Sequence, residues 1–249
     1  MSRTLRLAAT ALAAIAAAAG AAAAVAQPPG EGARCVAGST VKLGDDTVAY
    51  AAVPGGRLTS AYRAPGRHPF ARFHRTNANG VPTVFGVLSA VVNRKCRSTW
   101  YRVQLPMRPN GVTGFIRASA LGITKVRGRI EVDVTARRVT LFQDGEEVLS
   151  TRAAIGTPRT PTPIGRYYVN QRLIPHDPGG PFGLGAVGIS AFSNVLTGWT
   201  QGGPVAIHGT NQPQLLGQRV SNGCIRVLNS AIRRIFALAL PGTPVLIHR

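Results

Sequence analysis

The chain has 249 residues, enough for one large domain or two smaller ones. Its 45% hydrophobic and 15% charged content excludes a disordered chain. The formal net charge of +20 favours polyanionic surroundings, yet there is no helix-turn-helix, zinc-finger or RNA-binding signature, so nucleic acid is not an expected partner.

Residues 1–26, MSRTLRLAATALAAIAAAAGAAAAVA, join basic Arg3 and Arg6 to an Ala/Leu run ending in Ala24-Val25-Ala26. This is the layout of a cleaved export signal. A membrane anchor is the rival, but alanine is weakly apolar and Gly20 interrupts the run. Arg34, just before Cys35, spoils a lipoprotein site. The mature protein is therefore expected in the cell wall, the periplasmic space or outside the cell, without stable membrane insertion. An anionic envelope polymer is a partner that suits its charge.

Residues 27–46 are rich in Gly, Pro and small polar residues and read as a linker. Residues 47–122 carry short strand-like runs between turns (TVAYAAV, TVFGVLSAVV, TWYRVQL, VTGFIRA) and no helical periodicity, which predicts a small β-barrel or roll. A second β unit, assigned to 123–249, opens with RIEVDV, whose Ile130, Val132 and Val134 share one face. Asp144-Gly145 predicts a hairpin turn, and Pro158, Pro161, Pro163 and Pro175 exclude helix and central strand. Gly179, Gly180 and Gly183 lie in a glycine-dense loop that permits close backbone approach and could line a cleft. One helix is expected over 229–240, capped by Asn229 or Ser230 and ended by Pro241-Gly242, followed by a last strand in TPVLIHR. The fold class is mainly β, with one or two short helices.

Three cysteines in an oxidising compartment cannot all pair within one chain. Cys35 and Cys96 both lie in the N-terminal half and are the expected disulfide; it closes a loop of about sixty residues, worth ~3–4 kcal/mol if unstrained. That leaves Cys224 as a free thiol. It follows His208 by sixteen positions in IHGTNQPQLLGQRVSNGCIRV. A thiol attacks as the thiolate, and an imidazole can take its proton and later return it. The backbone amides of Gly223 and Cys224 are candidate oxyanion donors, and Arg226 could favour the thiolate or hold a substrate carboxylate. A buried cysteine is more often a small apolar filler and a lone histidine structural, so the pair weighs more than either residue. The last acidic residue in the chain is Asp177, which leaves the group that orients His208 open. Asp177 or Asp133 could arrive through the fold, Asn211 or Asn222 could serve as a neutral partner, or a backbone carbonyl near Gly209 could fix the tautomer. No metal is expected, because His68, His74, His176 and His248 show no ligand spacing.

The same stretch resembles the signature of the L,D-transpeptidase catalytic domain (YkuD-type): His208-Gly209, then Ser221, Gly223, Cys224 and Arg226. GTPRTPTPIGRYYV and PGGPFGLGAVGIS are similar to that family's upstream segments, in the expected order. The resemblance covers about residues 125–249 and implies a mostly β, sandwich-like catalytic domain without metal or organic cofactor. It implies Cys224 as nucleophile, His208 as general base and acid, and the Gly209 carbonyl as the orienting group. Ser221, Asn222, Arg226 and Gly180 would be substrate-binding, with Ser221 alternatively bonding the loop. The implied reaction is cleavage before the terminal D-Ala of a peptidoglycan tetrapeptide stem, a thioester on Cys224, and aminolysis by a second stem to a 3→3 cross-link. Many relatives carry His where this chain has Asn222. STWYRVQLPMRPNGVTGFIRASAL resembles the end of a bacterial SH3-like domain, with Trp100 as a core residue. Two rivals remain: hydrolysis by water in place of cross-linking, and a wall-binding protein whose second domain is inert.

Overall fold

Strict alternation of buried and outward side chains builds most of this molecule, as in β9 (Gly128–Asp133), where Ile130 and Val132 are fully buried. The computed structural model describes residues 35–249; the segment read as an export signal, and the linker up to residue 34, lie outside the described residues. In chain order the N-terminal strands are β1 (Thr40–Lys42), β2 (Ala49–Pro54), β3 (Leu58–Tyr62), β4 (Pro69–His74), β5 (Phe85–Val92), β6 (Ser98–Gln104), β7 (Thr113–Arg117) and β8 (Leu121–Val126). They form one antiparallel sheet in the order β4-β3-β7-β6-β5-β2-β8, with β1 pairing β5. β1 falls inside the segment expected as linker; three residues of polar character carry no period to recognise, and β5 recruits them.

A disulfide joins Cys35 to Cys96, with a Cα–Cα distance of 5.3 Å, and so ties the chain ahead of β1 to the β5–β6 turn. Trp100 is buried under the edge of Tyr62 (ring centroids 5.2 Å apart) and the Arg117 guanidinium, 4.7 Å from its centroid. That is a packing position.

The second unit holds β9, β10 (Arg138–Gln143), β11 (Glu146–Arg152), β12 (Ile155–Gly156), β13 (Gly165–Leu173), β14 (Ala186–Phe192), β15 (Pro204–His208), β16 (Arg219–Ser221), β17 (Ile225–Arg226), α1 (Asn229–Leu238) and β18 (Pro244–His248). Eight of these strands make a mixed sheet in the order β11-β10-β9-β18-β13-β14-β15-β17, and β12 pairs β16 separately. Asp144 and Gly145 both adopt positive φ in the β10–β11 turn, as that hairpin requires. α1 packs Ala231, Ile232 and Ile235 into the core with Val205, Ile207 and Ile225. Its expected side-chain cap is absent: Leu228 is the N-cap, and the Asn229 carboxamide instead accepts the Thr210 amide at 3.1 Å. No helix among the described residues is long and apolar enough to cross a membrane.

The two units meet around a small apolar cluster of Ala51, Val84, Val126 and Tyr168. The Tyr168 hydroxyl donates to the Val84 carbonyl at 2.9 Å and accepts the Gly86 amide, which holds β13 against β5. Burial pushes the Tyr168 phenol well above its ordinary range, so it stays a donor. A Cβ added at Gly86 would meet the Tyr168 ring at 2.8 Å. Gly86→Ala is therefore expected to cost about 1–3 kcal/mol by overpacking the junction, read as a lowered midpoint in urea unfolding.

Candidate active site

His208 ends β15, and Cys224 sits immediately before β17, the parallel neighbour of β15. Ile207 pairs Ile225 and His208 pairs Arg226, so topology closes a gap of sixteen residues to adjacent strands. His208 is 3% exposed. Its Nδ1–H donates to the Gly209 carbonyl at 2.6 Å, which fixes the tautomer and leaves Nε2 with its lone pair. The acidic alternatives are engaged elsewhere: Asp133 Oδ1 accepts the Thr135 and Ala136 amides, and Asp177 Oδ1 accepts the Gly179 amide. Asn211 and Asn222 are solvent-exposed. Burial lowers the imidazole pKa to about 4, with the positive Arg226 pushing the same way and the Gly209 carbonyl opposing.

Cys224 is the free cysteine among the described residues. Burial pushes its thiol up, while a hydrogen bond from the Ala206 amide and the Arg226 charge favour the thiolate. Both shifts disfavour charge, so the resting pair is a neutral thiol beside a neutral imidazole. Arg226 Nε is buried without a hydrogen-bond partner among the described residues, leaving one guanidinium donor unused.

The turn before Cys224 is built by its own hydroxyls. Ser221 Oγ donates to the Cys224 carbonyl at 2.6 Å and accepts the Gly223 amide at 3.1 Å. Ser221 is thus engaged within the turn rather than facing a substrate, and the Gly223 amide is not free to serve an oxyanion. The Cys224 amide carries no hydrogen bond among the described residues and is the remaining donor of the two. Gly223 adopts φ +111°, where a side chain would be strained.

A second loop buttresses this turn, and beyond its proline pattern nothing local in the chain marks that role. Thr162 Oγ1 donates to the Gly223 carbonyl at 3.0 Å and accepts the Gly156 amide at 2.9 Å. Thr160 Oγ1 donates to the Ser221 carbonyl at 3.0 Å. TPRTPTPIG thus contributes hydroxyls as well as breaks. Thr162→Val keeps the shape but leaves a buried N–H and C=O unpaired. It is expected to destabilise by about 2–4 kcal/mol in chemical denaturation.

The glycine-dense loop reaches the histidine through Gly183, not Gly180. Gly180 folds back on Asp177, whose carbonyl accepts its amide at 3.2 Å. Gly183, at φ +61°, leaves no room for a Cβ, which would lie 2.8 Å from the Gly209 carbonyl carbon. Next to it the Phe182 ring meets the His208 ring edge-on, centroids 5.0 Å apart.

Fold and site together define a mainly β domain in which a backbone-oriented histidine ends one strand and a cysteine immediately precedes its parallel neighbour. Residues 127–247 match the family model of the L,D-transpeptidase catalytic domain (YkuD). It is similar to a protein named as an L,D-transpeptidase, YkuD of Bacillus subtilis, at 32% identity over 120 residues, 48% of this chain and 65% of that protein. The Bacillus licheniformis YkuD protein matches at 32% over 117 residues, 47% of this chain and 63% of its own length. The chain thus spans just under two thirds of the length of these relatives. The solved catalytic domain of an E. faecium L,D-transpeptidase is 28% identical, covering 48% of this chain and 95% of that one, with a TM-score of 0.36.

Proposed function

We propose that the protein is an exported cysteine acyltransferase that acts on peptidoglycan tetrapeptide stems and forms 3→3 cross-links. The observation that carries this reading is the His208 Nδ1–H bond to the Gly209 carbonyl, which presents Nε2 as a base next to the strand that follows Cys224. In the first half-reaction Nε2 takes the thiol proton as Sγ bonds the stem carbonyl before D-Ala. The Cys224 amide receives the developing oxyanion. Collapse breaks the C–N bond, the proton passes to the departing D-Ala amine, and a thioester remains. In the second, an amine of another stem attacks that thioester, Nε2 accepts its proton and returns it to sulfur, and an amide is formed. The unused Nε–H of Arg226 suits a substrate carboxylate.

Export is supported by the Cys35–Cys96 disulfide, since such bonds persist in oxidising compartments. The charge of +20 suits an anionic envelope. The N-terminal sheet is read as an SH3-like module that holds the catalytic domain on the wall. Asn222, exposed beside Cys224, stands where an acceptor approaches and is read as tuning the acceptor.

Muropeptide analysis of tetrapeptide-bearing wall treated with the wild type and with Cys224→Ala tests the reaction. Cys224-dependent 3→3 dimers are the expected product. Cys224-dependent tripeptides alone would make water the acceptor, and neither product with either protein would overturn the reading.

A further inference from the structure

The junction of the two β units forms a cavity of about 330 Å³, open to solvent on one side, that the reaction leaves unused. Its polar lining is led by carboxamides, Asn77 and Asn79 from the first unit and Asn170, Gln171 and Gln201 from the second, with Arg72, His74, Thr76 and Thr83 beside them. These amides are wired across the junction. Gln201 Nε2 donates to Asn79 Oδ1 at 3.0 Å, and Asn79 and Asn77 both donate to Gln171 Oε1, at 2.9 and 2.8 Å. The relay therefore ends in a carbonyl acceptor at Gln201 and an amide donor at Gln171. Phe73, Phe192 and the prolines 106 and 204 supply apolar wall.

Two backbone irregularities aim these groups. Gln201 is held at φ +58°, an uncommon conformation for a non-glycine residue. Asn170 is the extra residue where the β13–β14 register shifts between Val169 and Gln171, a bulge that redirects a side chain.

The cavity also shares a face with the reactive groups. Val205 and Ile207 point into the core, so Pro204, Ala206 and His208 share the opposite face of β15. Pro204 lines the cavity, and the Ala206 amide contacts the Cys224 sulfur. Those two residues are ~7 Å apart along the strand. Three extended stem residues span at most ~10–11 Å. In the row of Ala206, Gly188 pairs both Gln171 and Ala206, and its missing side chain lets Gln171 lie across the sheet; a Cβ there would meet Gln171 Cγ at 2.6 Å.

We propose that this junction cavity binds a neutral, N-acetylated glycan segment, the carbohydrate to which the stem peptide is attached. This rests on the peptidoglycan reading above. A cationic ligand is disfavoured, because no carboxylate lines the cavity. An anion would meet Arg72, but it offers acceptors only and leaves the carbonyl end of the relay unused. Hydroxyl and acetamido groups offer donor and acceptor together, matching both ends, and pyranose C–H faces suit the aromatic and proline walls. Seated there, the glycan places its stem along β15 toward Cys224.

The test uses full-length mature protein carrying Cys224→Ala, titrated by calorimetry with a β-1,4-linked N-acetylglucosamine tetramer that bears no peptide. Saturable binding is expected, weakened about tenfold by Gln201→Gly, which removes the acceptor end while suiting the positive φ. Ala78→Trp, which puts a bulky ring on the cavity wall and removes no relay amide, is expected to weaken it similarly, with thermal midpoints unchanged. Absence of tetramer binding, or binding that both variants leave intact, overturns the proposal. So does binding of a free stem tetrapeptide, blocked by the same variants, in place of the sugar. The readout needs no turnover, so glycan binding by a protein that proves unable to release D-Ala would sink the reaction and leave this site standing.

Discussion

Cys224→Ala is expected to abolish D-Ala release from a stem tetrapeptide, lowering the rate by at least about 10⁴-fold while leaving the fold intact. The two halves of that expectation have separate causes. Sulfur is the only atom at this position that can hold the acyl group between the two half-reactions, so no residual covalent route remains. The thiol makes little contribution to packing that alanine cannot keep, and burial pushes its ionisation up, so no buried charge is lost with it. The turn around it is held by Ser221 and Thr162, neither of which the substitution touches. Urea unfolding should therefore place Cys224→Ala within about 1 kcal/mol of the wild type. A variant that lost activity by unfolding would fail that comparison.

His208→Gln should lower kcat/KM by about 10²–10⁴-fold, the range of a lost general base. Its pH signature separates a base from a packing residue. The folded imidazole titrates at about 4 against an ordinary 6.5, so it stays a free base through neutral pH. The acid limb of kcat/KM is expected near pH 4 in the wild type and not near 6.5. The linked stability effect has a definite sign. Above pH 6.5 the group is neutral both folded and unfolded and contributes nothing. Between 6.5 and about 4 only the unfolded chain binds the proton, so stability falls as pH falls, by roughly 3 kcal/mol in total. His208→Gln should lack that part of the slope. Denaturation of both proteins at pH 7 and pH 4.5 measures the difference, and parallel slopes would contradict a buried neutral imidazole.

The parts of this molecule written in local pattern were readable from the chain. The alternation of Ile130, Val132 and Val134 marked a buried face, Asp144-Gly145 marked its hairpin, and Pro241-Gly242 marked the end of the helix region. The shared N-terminal position of Cys35 and Cys96 pointed to them as the bridge, and the odd cysteine number left Cys224 free. His208 and Cys224 stood out because reactive side chains and flanking glycines are visible one residue at a time. What stayed hidden was the assignment of hydrogen bonds between distant loops. The chain alone does not show that Ser221 Oγ holds the Gly223 amide, or that the Asn229 carboxamide accepts the Thr210 amide in place of capping its own helix. Each of these groups has several chemically equivalent partners in the sequence, and only topology chooses among them. Thr162, 61 residues before Gly223, has no local pattern that links the two. The junction cavity is a further step removed, because its amides come from both units and their polarity reads along the chain as ordinary loop composition.

The central claim is a covalent acyl-enzyme on Cys224, and intact-mass spectrometry on the mature protein tests it most directly. Incubation with a carbapenem should add one drug mass to the wild type and none to Cys224→Ala. Incubation with a stem tetrapeptide should release D-Ala from the wild type alone. An unmodified wild-type mass with the carbapenem, together with no D-Ala released from the tetrapeptide, would contradict the account.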